Sequence, residues 1–200
     1  MTQPEFIQEI VRHLDQAGVP YMIVGSVAST AYGDWRTTLD TDIVVDAPWE
    51  HVRRFLRGLG PDYYFDEDAA RTAWESRRMF NIIHFASGNK ADIIRRKDTH
   101  YAATAFERRG LANALGTKLE LCTPEDVILS KLDWCKRSES ERQYRDALGV
   151  AKAQRQRLDL AYLACWAEDL GVTDLLNRLL GDAGLRPQGE PPHGVIPSGA

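Results

Sequence analysis

An α/β (α+β) class is what the order of elements in this chain predicts. Strand and helix signals alternate through residues 1–116, and from Pro124 to about Leu180 helical signals run almost alone. With 200 residues, 44% of them hydrophobic, the chain has material for one sizeable core plus a small helical appendage. The expected division is a core over 1–116, a helical C-terminal region over 117–180 and a flexible tail over 181–200.

The elements follow in order. Pro4, then Phe6, Ile7, Ile10, Val11 and Leu14 at helical spacing, then Gly18, predict an amphipathic helix with a proline start and a glycine stop. Tyr21 to Val24 is a short β-rich run broken by Gly25-Ser26, after which Val27 to Tyr32 predicts two helical turns with Ser26 as N-cap. Leu39 to Val45 partly alternates and reads as a strand, and Pro48 opens a helix to about Leu59. Asp66 to Ser76 reads as a helix, and Met79–Phe85 with Ala91–Ile94 as a hairpin turning at Ser87-Gly88-Asn89. Lys118–Cys122 is a last, weak strand signal. The helix-rich stretch after Pro124 breaks near Ser138, Arg157 and Gly171, and from Gly181 onward proline and glycine dominate, a composition that buries too little surface to offset its ordering entropy.

Composition excludes several classes. The net charge is −4, which lacks the whole-domain basic field of a dedicated DNA binder. Neither a secretory leader nor an apolar run long enough to span a membrane is present, so no membrane association and a cytoplasmic location are expected. Cys122, Cys135 and Cys165 lie far apart, are odd in number and lack metal-ligand spacing, so they read as packing thiols.

The chemistry concentrates in a few residues. Asp40 and Asp42 are two apart on a predicted strand, which turns both carboxylates to one face, where such a pair can bridge Mg²⁺. Chance alone supplies such a pair in so acidic a chain, and Asp66-x-Asp68 is another. Asp66 and Asp68 open a solvated helix, however, whereas Asp40 and Asp42 sit among Leu39, Ile43, Val44 and Val45, where charge needs a partner. Gly25-Ser26 lies between a strand and a helix, which aims free backbone N–H groups at an anion such as a phosphate, or serves only as a turn and a cap.

Gly25-Ser26, then Leu39-Asp40-Thr41-Asp42-Ile43, with the thirteen residues Val27 to Leu39 separating Ser26 from Asp40, and then Ala91-Asp92-Ile93 resemble the signature of the DNA polymerase β-like nucleotidyltransferase superfamily: Gly-Ser, h-Asp-x-Asp-h and a later h-Asp-h. Thr123-Pro-Glu-Asp-Val-Ile-Leu-Ser-Lys-Leu132 and the later Arg145-Asp146 are similar to segments of the AbiEii type of nucleotidyltransferase toxin, and Arg36 fits the same pattern. The resemblance implies a nucleotidyltransferase fold, with a mixed β-sheet flanked by helices. It also implies transfer of an NMP from an NTP to an acceptor hydroxyl. Asp40, Asp42 and Asp92 would hold Mg²⁺, Asp92 would help deprotonate the acceptor, Gly25 and Ser26 would grip phosphates, and Arg36 or Lys131 would neutralise them.

Alternatives stay open at several positions. Asp98 competes with Asp92 for the third carboxylate, and Glu125, Asp126 and Lys131 read equally as a solvated helix face. Asp146 reads either as orienting Lys131 or Arg145 or as a surface pair with Arg145, and His84 reads as packing. Residues 131–157 carry eight Lys or Arg against four Asp or Glu, a basic helical face suited to an RNA acceptor or merely solvated. Toxin–antitoxin pairing, with tRNA or other RNA as acceptor and a cognate antitoxin as partner, is implied by the resemblance. The competing functions are a small-molecule, aminoglycoside-like nucleotidyltransferase and a catalytically inactive interaction module.

Overall fold

The computed structural model describes residues 1–33 and 40–185. Helix α1 (Gln3–Ala17) starts where Thr2 and Glu5 form a reciprocal capping box, and stops at Gly18, whose φ of 66° suits a residue without a Cβ. Its buried stripe of Phe6, Ile7, Ile10, Val11 and Leu14 is the one its spacing predicts. Strand β1 (Tyr21–Ile23), helix α2 (Gly25–Tyr32), strand β2 (Asp40–Val45) and helix α3 (Trp49–Gly58) follow. Ser26 is not the N-cap of α2. Val24 holds that position without a side-chain bond, because Gly25 turns the chain into the helix one residue earlier.

Strand β3 (Tyr63–Tyr64), helix α4 (Glu67–Glu75), strand β4 (Phe80–His84) and strand β5 (Lys90–Arg95) form the next group. Asp66 caps α4 by accepting from Ala69 N at 2.8 Å. Helix α5 (His100–Glu107) and strand β6 (Gly110–Ala114), like β3, have no counterpart in the predicted element order; β6 then pairs with β7 (Thr117–Leu121) as a hairpin. Helices α6 (Pro124–Ser138), α7 (Glu141–Gln154), α8 (Leu160–Asp169) and α9 (Thr173–Asp182) complete the described chain. Gly181 and Asp182 are helical, and Ala183 is buried, so helical structure runs past the predicted start of the tail, with Leu176 and Leu179 anchoring α9. Residues 186–200 lie outside the described residues.

The seven strands form one mixed sheet in the order β3-β4-β5-β2-β1-β7-β6. β2 and β5 are parallel, as are β1 and β7, while β1 pairs with β2 antiparallel. Because β7 belongs to this sheet, the purely helical part begins at Pro124. Ile43, Val45, Ala91 and Ile93 turn toward one core cluster that also contains apolar residues of α1, α3 and α4. Met22 on the opposite face joins a second cluster with Ile128, Leu132, Val150, Leu163 and Leu179, against which Val44 packs. That second face is therefore covered over β1 and β2, whereas on β4 and β3 it carries exposed Asn81 and Tyr64. No described helix is long and apolar enough to cross a membrane.

Candidate active site

The site follows from strand register. β2 and β5 align Asp40 with Lys90 and Asp42 with Asp92, and β4 aligns Asn81 with Asp92. Directly paired residues share a face, so Asn81, Asp92 and Asp42 form one row across three strands. Lys90 and Asp40 continue the next row, which starts at Tyr64 and Ile83. These rows lie on the face covered by the C-terminal helices at one end and open at the other.

Asp92 is 6% exposed and accepts a hydrogen bond from the Asn81 amide on Oδ1. Lys90 Nζ lies 3.3 Å from that same Oδ1 and 3.4 Å from Asp40 Oδ1. Desolvation lowers the Lys90 pKa, but Asp92 and then Asp40 outweigh it and hold the ammonium above its ordinary value. Asp42 is pushed up from the ordinary aspartate value, by burial first and by the Asp92 charge second, with Lys131 opposing. Carboxylates crowded in this way favour a cation between them.

The Gly25-Ser26 turn meets this row at Asp42. Gly25 has φ 64°, and a Cβ built there would fall 2.0 Å from Asp42 Oδ2. Backbone conformation and space both demand glycine, so the Gly-Ser motif has a steric cause: it lets the turn close onto the carboxylate. Ser26 lies in the first turn of α2, where its carbonyl accepts from Ser29 Oγ at 3.0 Å.

Lys131 comes from α6 and is 5% exposed; its Nζ donates to Asp146 Oδ2 on α7 at 2.8 Å. The helical region thus presents a buried ammonium to the carboxylate row. Glu125 and Asp126 are also buried, at 5% and 3% exposure, so the solvated helix face is not what the fold builds. Asp126 accepts from Thr123 Oγ1 and Tyr162 Oη, and Glu125 accepts from Asp159 N and the Arg108 guanidinium. The Arg108 guanidinium lies 3.8 Å from the Tyr162 ring centroid. This network locks α6 to α8. The Thr-Pro-Glu-Asp string marks a helix start, but its buried charge is explained largely by partners outside it, at Arg108, Asp159 and Tyr162.

The remaining candidates separate. Asp98 pairs with Arg77, is mostly exposed, and lies outside the carboxylate rows. Arg36 lies outside the described residues. His84 is buried against Tyr63 and bonded to Ser87 Oγ at 2.9 Å. Much of the basic segment is engaged within the fold: Lys136 donates to Leu170 O, Arg137 pairs with Asp133 and Arg155 donates to Gly184 O. Arg142, Arg145 and Lys152 remain exposed on α7. Arg96 pairs with Asp46, and Arg95 donates to Trp74 O. Among the described residues, no three His, Cys, Asp or Glu side chains are grouped to hold a metal ion. The three aspartates supply hard carboxylate oxygens of the kind Mg²⁺ takes, but Lys90 lies between Asp40 and Asp92.

This architecture is the nucleotidyltransferase fold. Over 89% of the chain and 99% of the other, it is similar to ANT(2'')-Ia in complex with adenylyl-2''-tobramycin, with TM-score 0.51 and 14% identity. The solution structure of the same antibiotic-resistance factor matches over 86% of this chain and 95% of that one, with TM-score 0.51 and 14% identity. A putative nucleotidyltransferase from H. pylori is 18% identical over 90% of this chain and 79% of that one, with TM-score 0.48. No family profile matches the chain, and no curated protein does.

Proposed function

We propose that this chain is a Mg²⁺-dependent nucleotidyltransferase that moves an NMP from an NTP to an acceptor hydroxyl on RNA, as a cytoplasmic AbiEii-type toxin neutralised by a cognate antitoxin. The observation that carries the reading is the row in which Asp42 and Asp92 stand in register beside a glycine whose missing side chain admits Asp42. That combination is what the Gly-Ser and three-aspartate motif requires.

Asp40 and Asp42 would hold Mg²⁺ with the triphosphate, and Asp92 would complete the metal set. When bound, the ion supplies charge neutralisation for the phosphates and for the departing pyrophosphate. The residues do the rest. The acceptor oxygen bonds to the α-phosphorus as the α–β bridging bond breaks, pyrophosphate leaves with that electron pair, and Asp92 receives the hydroxyl proton. Gly25 and Ser26 would offer N–H groups to the phosphates, with Lys131 as a nearby positive charge. Arg36 would share that charge. The acceptor would enter from the open half of the sheet, on the Asn81 side.

The test is thermal unfolding of wild type and Asp42→Asn with ATP, GTP, CTP and UTP, each with and without Mg²⁺. Ligand at one hundred times Kd stabilises by about 2.7 kcal/mol, which moves Tm by several degrees. The reading expects a Mg²⁺-dependent shift with at least one nucleotide, lost in Asp42→Asn; wild type without any shift overturns it. A small-molecule acceptor of the aminoglycoside kind is the second reading, supported by the fold shared with ANT(2'')-Ia along nearly its whole length. An RNA acceptor predicts that salt, and charge reversal at the exposed Arg142, Arg145 and Lys152, weaken RNA binding; a small-molecule acceptor predicts neither.

A further inference from the structure

Lys90 appears in no motif of the sequence, yet its ammonium pairs with two of the three carboxylates. The β2–β5 register sets it opposite Asp40 and, with a period of two, on the same face as Asp92. Its ammonium is shared almost evenly, 3.4 Å from Asp40 Oδ1 and 3.3 Å from Asp92 Oδ1, and its side chain is 29% exposed. The two acids differ: Asp92 is nearly enclosed, while the Asp40 side chain is 58% exposed. Lys90 therefore spans from the floor of the site to its rim.

Mg²⁺ binds carboxylate oxygen at about 2.1 Å and demands near-octahedral geometry. An ammonium already held by Asp40 and Asp92 adds a repelling charge against any divalent cation that these carboxylates would hold. We infer that Lys90 is a resident counter-ion: it holds Asp40 and Asp92 together in the metal-free chain and competes with a divalent cation for them. The identity of that cation's site rests on the nucleotidyltransferase reading; the competition itself rests on the two ion pairs. With a divalent cation on these carboxylates Lys90 would have to leave them, and its partly exposed side chain gives the ammonium a path to solvent.

The experiment is a titration of the full chain with Mn²⁺ alone, followed by electron paramagnetic resonance of the free ion, for wild type, Lys90→Met, Lys90→Gln and Lys90→Arg. Removing the ammonium should tighten Mn²⁺ binding about tenfold to a hundredfold in both neutral variants, and Lys90→Arg should stay near wild type. Thermal unfolding in chelator-treated buffer gives a second readout: the neutral variants should melt below wild type and recover more on adding Mn²⁺. If Lys90→Met does not fold, Lys90→Gln, with its similar reach and polar end, carries the test. Unchanged or weaker Mn²⁺ binding in the folded neutral variants overturns the inference, and so does tightening in Lys90→Arg equal to theirs. The two readings fail separately. A wild-type Mg²⁺-dependent nucleotide shift with no gain in Lys90→Met removes only the counter-ion. Tighter Mn²⁺ in Lys90→Met with no nucleotide shift keeps the counter-ion and removes the transferase.

Discussion

Gly25→Ala probes the closest approach in the site. An added Cβ would lie 2.0 Å from Asp42 Oδ2, 2.9 Å from Cγ and 3.3 Å from Cβ, so one side chain is responsible for the whole conflict. The carboxylate oxygen would have to recede by about 1.4 Å to reach the 3.4 Å of ordinary contact. Overpacking of that kind costs ~1–3 kcal/mol, and an alanine held at positive φ adds about 1–2 kcal/mol. Only the first cost depends on Asp42. In an Asp42→Ala background the carboxylate is gone, leaving the tight but tolerable Cβ contact and the backbone cost. A double-mutant cycle by urea unfolding, followed through the five tryptophans, should therefore give a coupling energy of ~1–3 kcal/mol, with Gly25→Ala less damaging when Asp42 is absent. The same cost in both backgrounds would refute the claim that Gly25 is there to admit Asp42.

Two further outcomes are expected. Burial, then Asp92, holds the Asp42 pKa above its ordinary 3.8, so ionised Asp42 costs folded-state stability above the raised pKa, and that cost fades as pH falls through it toward 3.8. Asp42→Asn should be more stable than wild type at neutral pH by ~0.5–2 kcal/mol, with the gap closing in acid; a gap independent of pH in chemical denaturation would contradict this. Lys131→Met removes the buried ammonium facing Asp146. Since the Asp146 side chain is 20% exposed, the expected loss is ~1–3 kcal/mol rather than the larger cost of a fully enclosed pair. Urea unfolding checks it, and Lys131→Met/Asp146→Leu should lose less than the sum of the single changes.

The parts of the fold legible in the sequence are those in which local chemistry and burial agree. Pro4 and Gly18 delimit α1, Asp66 marks the start of α4, and the breaks near Ser138, Arg157 and Gly171 separate the four C-terminal helices. Strand β6 was hidden because Gly110-Leu-Ala-Asn-Ala114 lacks the β-branched and aromatic residues that announce a strand, and its pairing with β7 supplies what propensity does not. β3 has only two residues, too few for any period to register. At the site, Asp40 and Asp42 share a face by simple alternation, but alternation on one strand carries nothing about its neighbour. Lys90 and Asn81 became site residues only through the β4-β5-β2 register. The buried acids at 125 and 126 were equally opaque: an acidic pair after a proline suits a solvated first turn, and their partners lie as far along the chain as Tyr162.

The parallel pairing of β2 with β5 has a consequence for the site's accuracy. On these strands the residues flanking Asp42 and Asp92 are Thr41, Ile43, Ala91 and Ile93, all fully buried on the other face. Sliding one strand by a single residue would exchange the faces, driving carboxylates into the apolar layer and isoleucines into water. The alignment of Asp42 with Asp92 is thus held by residues that never meet a ligand, and the site cannot lose its register while the sheet remains folded. Substitutions within the core at Ile43 or Ile93 are the ones with leverage over how faithfully two charges face each other on the opposite side.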